Sequence, residues 1–162
     1  MDEPKIKPSQ TWFGFDDPEL KTPAHDALML WIDEYISEIL VEVLGLDAEP
    51  EIIMKEWEEP ILNKRGFVAG VPDLTVRIRE HPGTIMRQDR VIMVEAKSKV
   101  RSLGELIRQI RICDATGDFS RYITAIPGGG RIHPKWLVIA PDDRFAKTIR
   151  EQGILFHKSP TL

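Results

Sequence analysis

With 162 residues, 42% of them hydrophobic and 30% charged, the chain has the size and composition of one ordinary soluble domain built on a single core. Its apolar runs fall far below the ~18 residues of a membrane helix, the start Met1-Asp2-Glu3-Pro4-Lys5 lacks the apolar stretch of a secretory signal, and a lone cysteine, Cys113, excludes an internal disulfide framework. The cytoplasm is therefore the expected compartment, and no membrane partner is expected.

The net charge of −4 argues against a nucleic-acid binder, but the charges are segregated. Residues 16–59 hold fourteen Asp/Glu and two Lys/Arg, whereas residues 60–111 hold eleven Lys/Arg and five Asp/Glu. Phosphate binding follows local potential, so a basic face on an acidic protein suits nucleic acid. His25, His81, His133 and His157 are scattered and show no zinc-ligand spacing with Cys113.

In chain order, residues 1–21 read as an irregular arm whose Trp12, Phe13 and Phe15 are apolar enough to dock on the body or on a partner subunit; residues 22–162 read as one domain. Thr22-Pro23 opens a helix, with a hydroxyl N-cap and proline at the first helical position. Apolar residues then recur at helical spacing (Ala24, Leu28, Trp31, Ile32, Tyr35, Ile36, Ile39, Val43) until Gly45, leaving Asp26, Asp33 and Ser37 as an exposed stripe. His25 falls within the apolar stripe, where a satisfied core histidine is one reading. Residues 51–57 read as the first strand, limited by Pro60, with Glu56 or Glu58 able to lend a carboxylate to a nearby site. Asn63-Lys64-Arg65-Gly66 is a turn that sets two cations, suited to a phosphate backbone, ahead of the next strand.

Residues 70–99 carry the chemistry. Gly70-Val71-Pro72-Asp73-Leu74-Thr75-Val76 and Val91-Ile92-Met93-Val94-Glu95-Ala96-Lys97 are strand-like runs joined through a turn at Pro82-Gly83, which predicts a hairpin. Because side chains alternate faces, Asp73, Thr75 and Arg77 share one face, as do Glu95 and Lys97. In register, two carboxylates and an ammonium meet at one place. Two carboxylates suit a hard cation, Mg²⁺ or its substitute Mn²⁺, which keeps waters and phosphate oxygens in its remaining positions. Such a cation can acidify a water and neutralise a phosphodiester, while Lys97 stabilises developing charge. The bland alternative is a turn aspartate beside a solvated Glu and Lys.

Ser102-Leu103-Gly104-Glu105 then forms a capping box for a helix that buries Leu103, Leu106, Ile107 and Ile110, with Cys113 as a buried structural thiol. From Lys97 to Arg111 the cations Lys97, Lys99, Arg101, Arg108 and Arg111 face one acid, Glu105. Gly117-Asp118 closes the helix, and residues 122–126 are either a strand or a helical turn. Residues 127–131 are glycine-rich without the Gly-Lys-Ser/Thr ending of a phosphate-binding loop; Arg131 and Lys135 are placed to reach nucleic acid. Residues 136–140 fill a central strand, Pro141-Asp142 stops it and caps a short helix through Phe145, Ala146 and Ile149, and residues 154–156 form a last strand.

At Pro72-Asp73 and Glu95-Ala96-Lys97 the sequence resembles the PD-(D/E)XK nuclease superfamily. The resemblance covers roughly residues 22–140 by order of elements. It implies an α/β, restriction-endonuclease-like core in αβββαβ order, with a central mixed sheet of four to five strands flanked by helices. It also implies Mg²⁺-dependent hydrolysis of DNA, in preference to RNA, with Asp73, Glu95 and the Ala96 carbonyl as metal ligands and Lys97 as catalytic cation. RecB-type members, one of two subgroups considered beside Holliday-junction-resolvase-like ones, place a histidine or acid from an early helix at the metal, which makes His25 a metal ligand or phosphate contact. They also carry a glutamine on the helix after the lysine, here Gln109, otherwise an ordinary surface amide. The tyrosine that follows four residues later in that subgroup is Cys113 in this chain.

Lys64, Arg65, Lys99, Arg101, Arg108, Arg111 and Arg131 are the expected nucleic-acid contacts. Without a large recognition domain, cleavage is expected to be structure-selective or weakly sequence-specific, with a homodimer or a partner supplying specificity. The competing expectations are a catalytically idle nucleic-acid-binding or assembly module that keeps the fold, and a hydrolase of small phosphorylated substrates.

Overall fold

In the computed structural model, which describes residues 22–123 and 133–162, the first element is α1 (Pro23–Leu44). Thr22 Oγ1 accepts the His25 amide at 3.1 Å, and Gly45 ends the helix at φ 65°, a left-handed conformation that glycine adopts without a Cβ penalty. β1 (Glu51–Trp57), β4 (Leu74–Glu80) and β5 (Gln88–Ala96) form an antiparallel meander. β5 pairs in parallel with β6 (Lys135–Ala140), and β6 with β7 (Leu155–Lys158), giving a mixed five-stranded sheet in the order β1-β4-β5-β6-β7. α2 (Leu103–Thr116), α3 (Ser120–Ile123) and α4 (Ala146–Glu151) complete the α/β layers.

Both faces of the sheet are covered. On one, Leu74, Val76, Ile78, Ile92, Val94, Leu137 and Ile139 pack under the Leu28, Met29, Ile32, Ile36 and Ile39 side of α1. On the other, Val91, Met93, Trp136, Val138 and Phe156 meet Leu106, Ile110 and Cys113 of α2 and Ile149 of α4. The run Val91, Ile92, Met93, Val94 is thus buried on both sides, as expected of a central strand.

Four expectations need correction. Asp33 is not on an exposed stripe: it is buried and takes Lys55 Nζ of β1 at 2.6 Å, so a carboxylate inside the helix–sheet interface is satisfied by a cation from the neighbouring strand. Ala24 and Tyr35 turn outward, while Met29 and Leu40 turn inward. The turn at Asn63 is the tip of a separate two-stranded sheet, β2 (Ile61–Leu62) with β3 (Val68–Gly70), which takes Gly70 out of the strand that follows it. Asp142 does not cap α4; its carboxylate accepts from the amide and Nε of its neighbour Arg144, at 3.0 and 2.6 Å.

Tyr122 and Ile123 are helical, in α3. The arm at 1–21 and the glycine-rich loop with Arg131 lie outside the described residues. No helix among the described residues is long and apolar enough to cross a membrane.

Candidate active site

The β4–β5 pairing sets the geometry. Leu74 faces Val94 and Thr75 faces Met93, and Asp73, just ahead of β4, reaches the end of β5 through its carboxylate, which accepts the Ala96 amide. Even-numbered residues of β4 (Leu74, Val76, Ile78) point to α1, which sends Thr75 and Arg77, like Val91 and Met93 of β5, to the α2 side. Thr75 and Met93 meet on that side, the hydroxyl 3.9 Å from the sulfur. Burial pushes the Cys113 thiol of α2 up to about 12, and the Glu95 carboxylate adds to the rise. At that value Cys113 is the buried structural thiol expected and is not a nucleophile at neutral pH.

Asp73 is 5% exposed. Its Oδ2 accepts the Ala96 amide at 2.7 Å, and Oδ1 lies 3.5 Å from His25 Nε2. A buried carboxylate is tolerable here because a backbone donor from β5 and an imidazole from the first turn of α1 both meet it. His25 is itself buried, at 1% exposure. The early-helix histidine therefore does reach the aspartate, across the end of the sheet. Lys97 continues past β5 along β6, its amide bonded to the Ile139 carbonyl at 2.9 Å, and its side chain is half-buried.

Of the two glutamates left open by the sequence, Glu56 is engaged elsewhere: Arg121 pairs with it, and Tyr122 Oη donates to it at 3.2 Å. Burial, followed by the Glu56 charge, pushes the Tyr122 hydroxyl up to about 12. Glu58 is the one beside Asp73. Its amide donates to the Asp73 carbonyl at 3.0 Å, it is 4% exposed, and it adopts φ 48°. That left-handed conformation costs a non-glycine residue about 1–2 kcal/mol. The antiparallel register of β1 on β4, with Trp57 opposite Leu74, brings Glu58 there. A strand partner separated by an inserted hairpin left no signal in the local sequence.

Among the described residues no group of three or more His, Cys, Asp and Glu is placed to hold a metal ion. Asp73 and Glu95 as a pair match the one or two carboxylates from which Mg²⁺ is usually held beside waters and phosphate oxygens, and do not match a closed all-protein cage.

The cations sort into groups. Arg79 and Arg87 pair with Asp89, and Arg90 with Glu80, at the opposite end of the hairpin; five to six residues along the strand put them roughly 15–20 Å from Asp73. Much of the basic segment is thus spent within that hairpin. Lys64 and Arg65 are exposed on the β2–β3 turn, where Asn63 Oδ1 accepts the Arg65 and Phe67 amides, and the exposed Phe67 stands beside them. Lys99 and Arg101 are exposed on the segment leaving β5. Arg108 is exposed but paired to Glu105 at 2.8 Å, and Arg111 bonds Gln152. Gln109 is exposed on α2, one turn after Glu105.

No family model matches the chain, and no curated protein matches it. Two solved structures are similar in part. A repair endonuclease from Pyrococcus abyssi is 16% identical with a TM-score of 0.38, over 80% of this chain and 47% of that one. EndoMS in its apo form is 12% identical with a TM-score of 0.35, over 78% of this chain and 45% of that one. The chain thus spans less than half the length of either.

Proposed function

We propose that the chain is a divalent-metal-dependent nuclease that hydrolyses phosphodiester bonds in DNA. The observation that supports this reading is the β4–β5 pairing, whose last pair is Leu74 with Val94, together with the Asp73 carboxylate that accepts the Ala96 amide between Glu95 and Lys97 at 2.7 Å. Asp73, Glu95 and the Ala96 carbonyl are the oxygen donors for Mg²⁺ or Mn²⁺. A divalent cation held there supplies neutralisation of the phosphate and a more acidic water.

The rest falls to the chain's own side chains. Lys97 orients the attacking water and balances the charge that develops on the phosphate oxygens, where a fixed ammonium in a partly buried site is worth more than in water. His25 fixes the Asp73 carboxylate from the α1 side. Lys64, Arg65, Lys99 and Arg101 hold the backbone on either side of the cut. On this reading cleavage is structure-selective or weakly sequence-specific, and a homodimer is the simplest way to add specificity.

One observation favours a second reading, an idle nucleic-acid-binding module. Asp73 already engages the Ala96 amide and His25, and no three-donor cluster is formed among the described residues. A single panel separates the two: linear duplex, single strand, flap, four-way junction and supercoiled plasmid, each with Mg²⁺, Mn²⁺ or chelator. The nuclease cuts at least one substrate only with metal, and Lys97→Ala lowers the rate at least about a hundredfold. Tight binding without chelator-sensitive cutting of any substrate establishes the idle module instead.

A further inference from the structure

The β2–β3 hairpin grows out of the candidate site itself. It begins three residues after Glu58, whose amide bonds the Asp73 carbonyl, and ends three residues before Asp73. Its root is fixed: Ala69 is buried, a Cβ at Gly70 would lie 2.9 Å from Cys113 Sγ of α2, and the Leu62 carbonyl accepts the Asp118 amide at 2.7 Å. Its tip is fixed as well. Asn63 Oδ1 accepts the Arg65 and Phe67 amides at 2.9 and 3.0 Å, the Asn63 amide donates to the Phe67 carbonyl at 2.7 Å, and Gly66 takes the left-handed φ of 83° that the turn requires.

This rigid tip displays an aromatic ring beside two cations. Phe67 is 65% exposed, the most exposed aromatic among the described residues, and Leu62 on the facing strand is also exposed. From Ile61 to Gly70 the chain has Lys64 and Arg65 and no acid, and neither cation forms an ion pair among the described residues. Asp118, whose carboxylate lies within electrostatic reach of Lys64, accepts the Ser120 amide at 3.0 Å. The other exposed apolar tip, Ile85-Met86 on the β4–β5 turn, differs on both counts: Arg87 beside it pairs with Asp89, and it stands at the far end of that hairpin from Asp73.

A lone exposed ring is ordinary on a protein surface, but an aromatic with adjoining cations is the pairing that holds unpaired nucleic acid, the ring on a base and the cations on phosphates. A backbone already ordered at the tip lowers the entropy cost of that contact. In an intact duplex the base faces are covered by their neighbours, so the ring finds a partner only where bases are unpaired. Phe67 lies six residues before Asp73, a reach of at most about 20 Å for extended chain, or about six nucleotides at a rise of about 3.4 Å.

We propose that the β2–β3 hairpin holds an unpaired stretch of the substrate strand, with Phe67 stacked on a base and Lys64 and Arg65 on the phosphates beside it. The substrate class is then a strand end, flap or junction with unpaired bases within about six nucleotides of the cut. The position relative to the cut rests on the nuclease reading; the grip on the strand does not.

The test measures fluorescence anisotropy of the full chain in chelator with three labelled probes: an oligothymidylate strand, an abasic strand of the same length, and a blunt duplex. Oligothymidylate binds about tenfold or more tightly than the abasic strand, and Phe67→Ala removes that margin while leaving the abasic and duplex affinities within about twofold. Phe67→Trp restores it. Lys64→Gln with Arg65→Gln lowers the slope of log affinity on log salt by about 1.4, at roughly 0.7 per phosphate contact. Because the ring is mostly in water, Phe67→Ala keeps the parent melting temperature, which ties the lost affinity to the ring. Equal affinity of the parent for the two single strands, or parental affinity of Phe67→Ala for oligothymidylate, overturns the proposal. So does conversion of a dimer to a monomer by Phe67→Ala at unchanged strand affinity, which makes the hairpin a subunit contact. A chain that shows the base margin yet cuts nothing with Mg²⁺ keeps the hairpin grip and loses the nuclease reading; a chain that cuts but lacks the margin does the reverse.

Discussion

Replacing Asp73 by two different residues separates its structural work from its chemistry. The carboxylate accepts the buried Ala96 amide at 2.7 Å and faces His25 at 3.5 Å. Asn has the same shape and keeps one oxygen for the amide, so Asp73→Asn should retain the fold while removing the charge on which a cation depends. Asp73→Ala leaves a buried amide without an acceptor, which costs about 1–3 kcal/mol. For a domain of this size about 2 kcal/mol corresponds to roughly 4–8 °C in Tm. The expected outcome is that both variants lose Mg²⁺-dependent plasmid cleavage by at least about a hundredfold, whereas only the alanine variant melts early. The assays are a cleavage time course and a thermal melt on the same preparations. Cleavage by Asp73→Asn at the parent rate refutes the catalytic role, and equal melting temperatures for the two variants refute the account of the Ala96 bond.

Two further outcomes follow from the packing. A Cβ at Gly117 would lie 2.6 Å from the Cys113 carbonyl and 2.7 Å from Ile61 Cγ2, so Gly117→Ala should lower stability by about 1–3 kcal/mol, whereas Gly104, in the first turn of α2 with nothing within 4 Å, should gain up to about 1 kcal/mol as alanine; urea midpoints that move in the same direction contradict this. His157 stacks on Trp31 and is held below its ordinary pKa of 6.5 by burial, against the pull of Glu42. Between the folded and ordinary values the unfolded chain binds more protons, so stability is lost as pH falls through 6.5 and levels off below the folded value. The Tm advantage of the parent over His157→Gln should therefore shrink between about pH 7.5 and about pH 5.5, and an advantage constant across that range would refute it.

Local rules carried much of the architecture. Thr22-Pro23 and Gly45 bounded α1, Ser102 and Glu105 opened α2, and an uninterrupted apolar run marked β5 as central, because caps and periodicity are written within a few residues. The alternation of β4 and β5 side chains between the two faces of the sheet is also local, once a hairpin is assumed. Pairing across distance is not. That β1 lies on β4 beyond an inserted β2–β3 sheet, and so brings Glu58 and not Glu56 to Asp73, depends on a register no short stretch encodes.

The same holds for charge. Composition showed a basic segment, but only the packed structure pairs Arg79, Arg87 and Arg90 with acids in their own hairpin and leaves Lys64, Arg65, Lys99 and Arg101 on the surface. Asp33 looked like a solvated residue until Lys55 from another element met it. The sequence by itself determined which residue types the chain owns and the periods of two and 3.6 residues at which apolar ones recur along each element. Tertiary structure alone decided which of them meet, because a carboxylate's partner comes from another element, 22 residues away for Asp33 and Lys55, 23 for Asp73 and Ala96, and 66 for Glu56 and Tyr122.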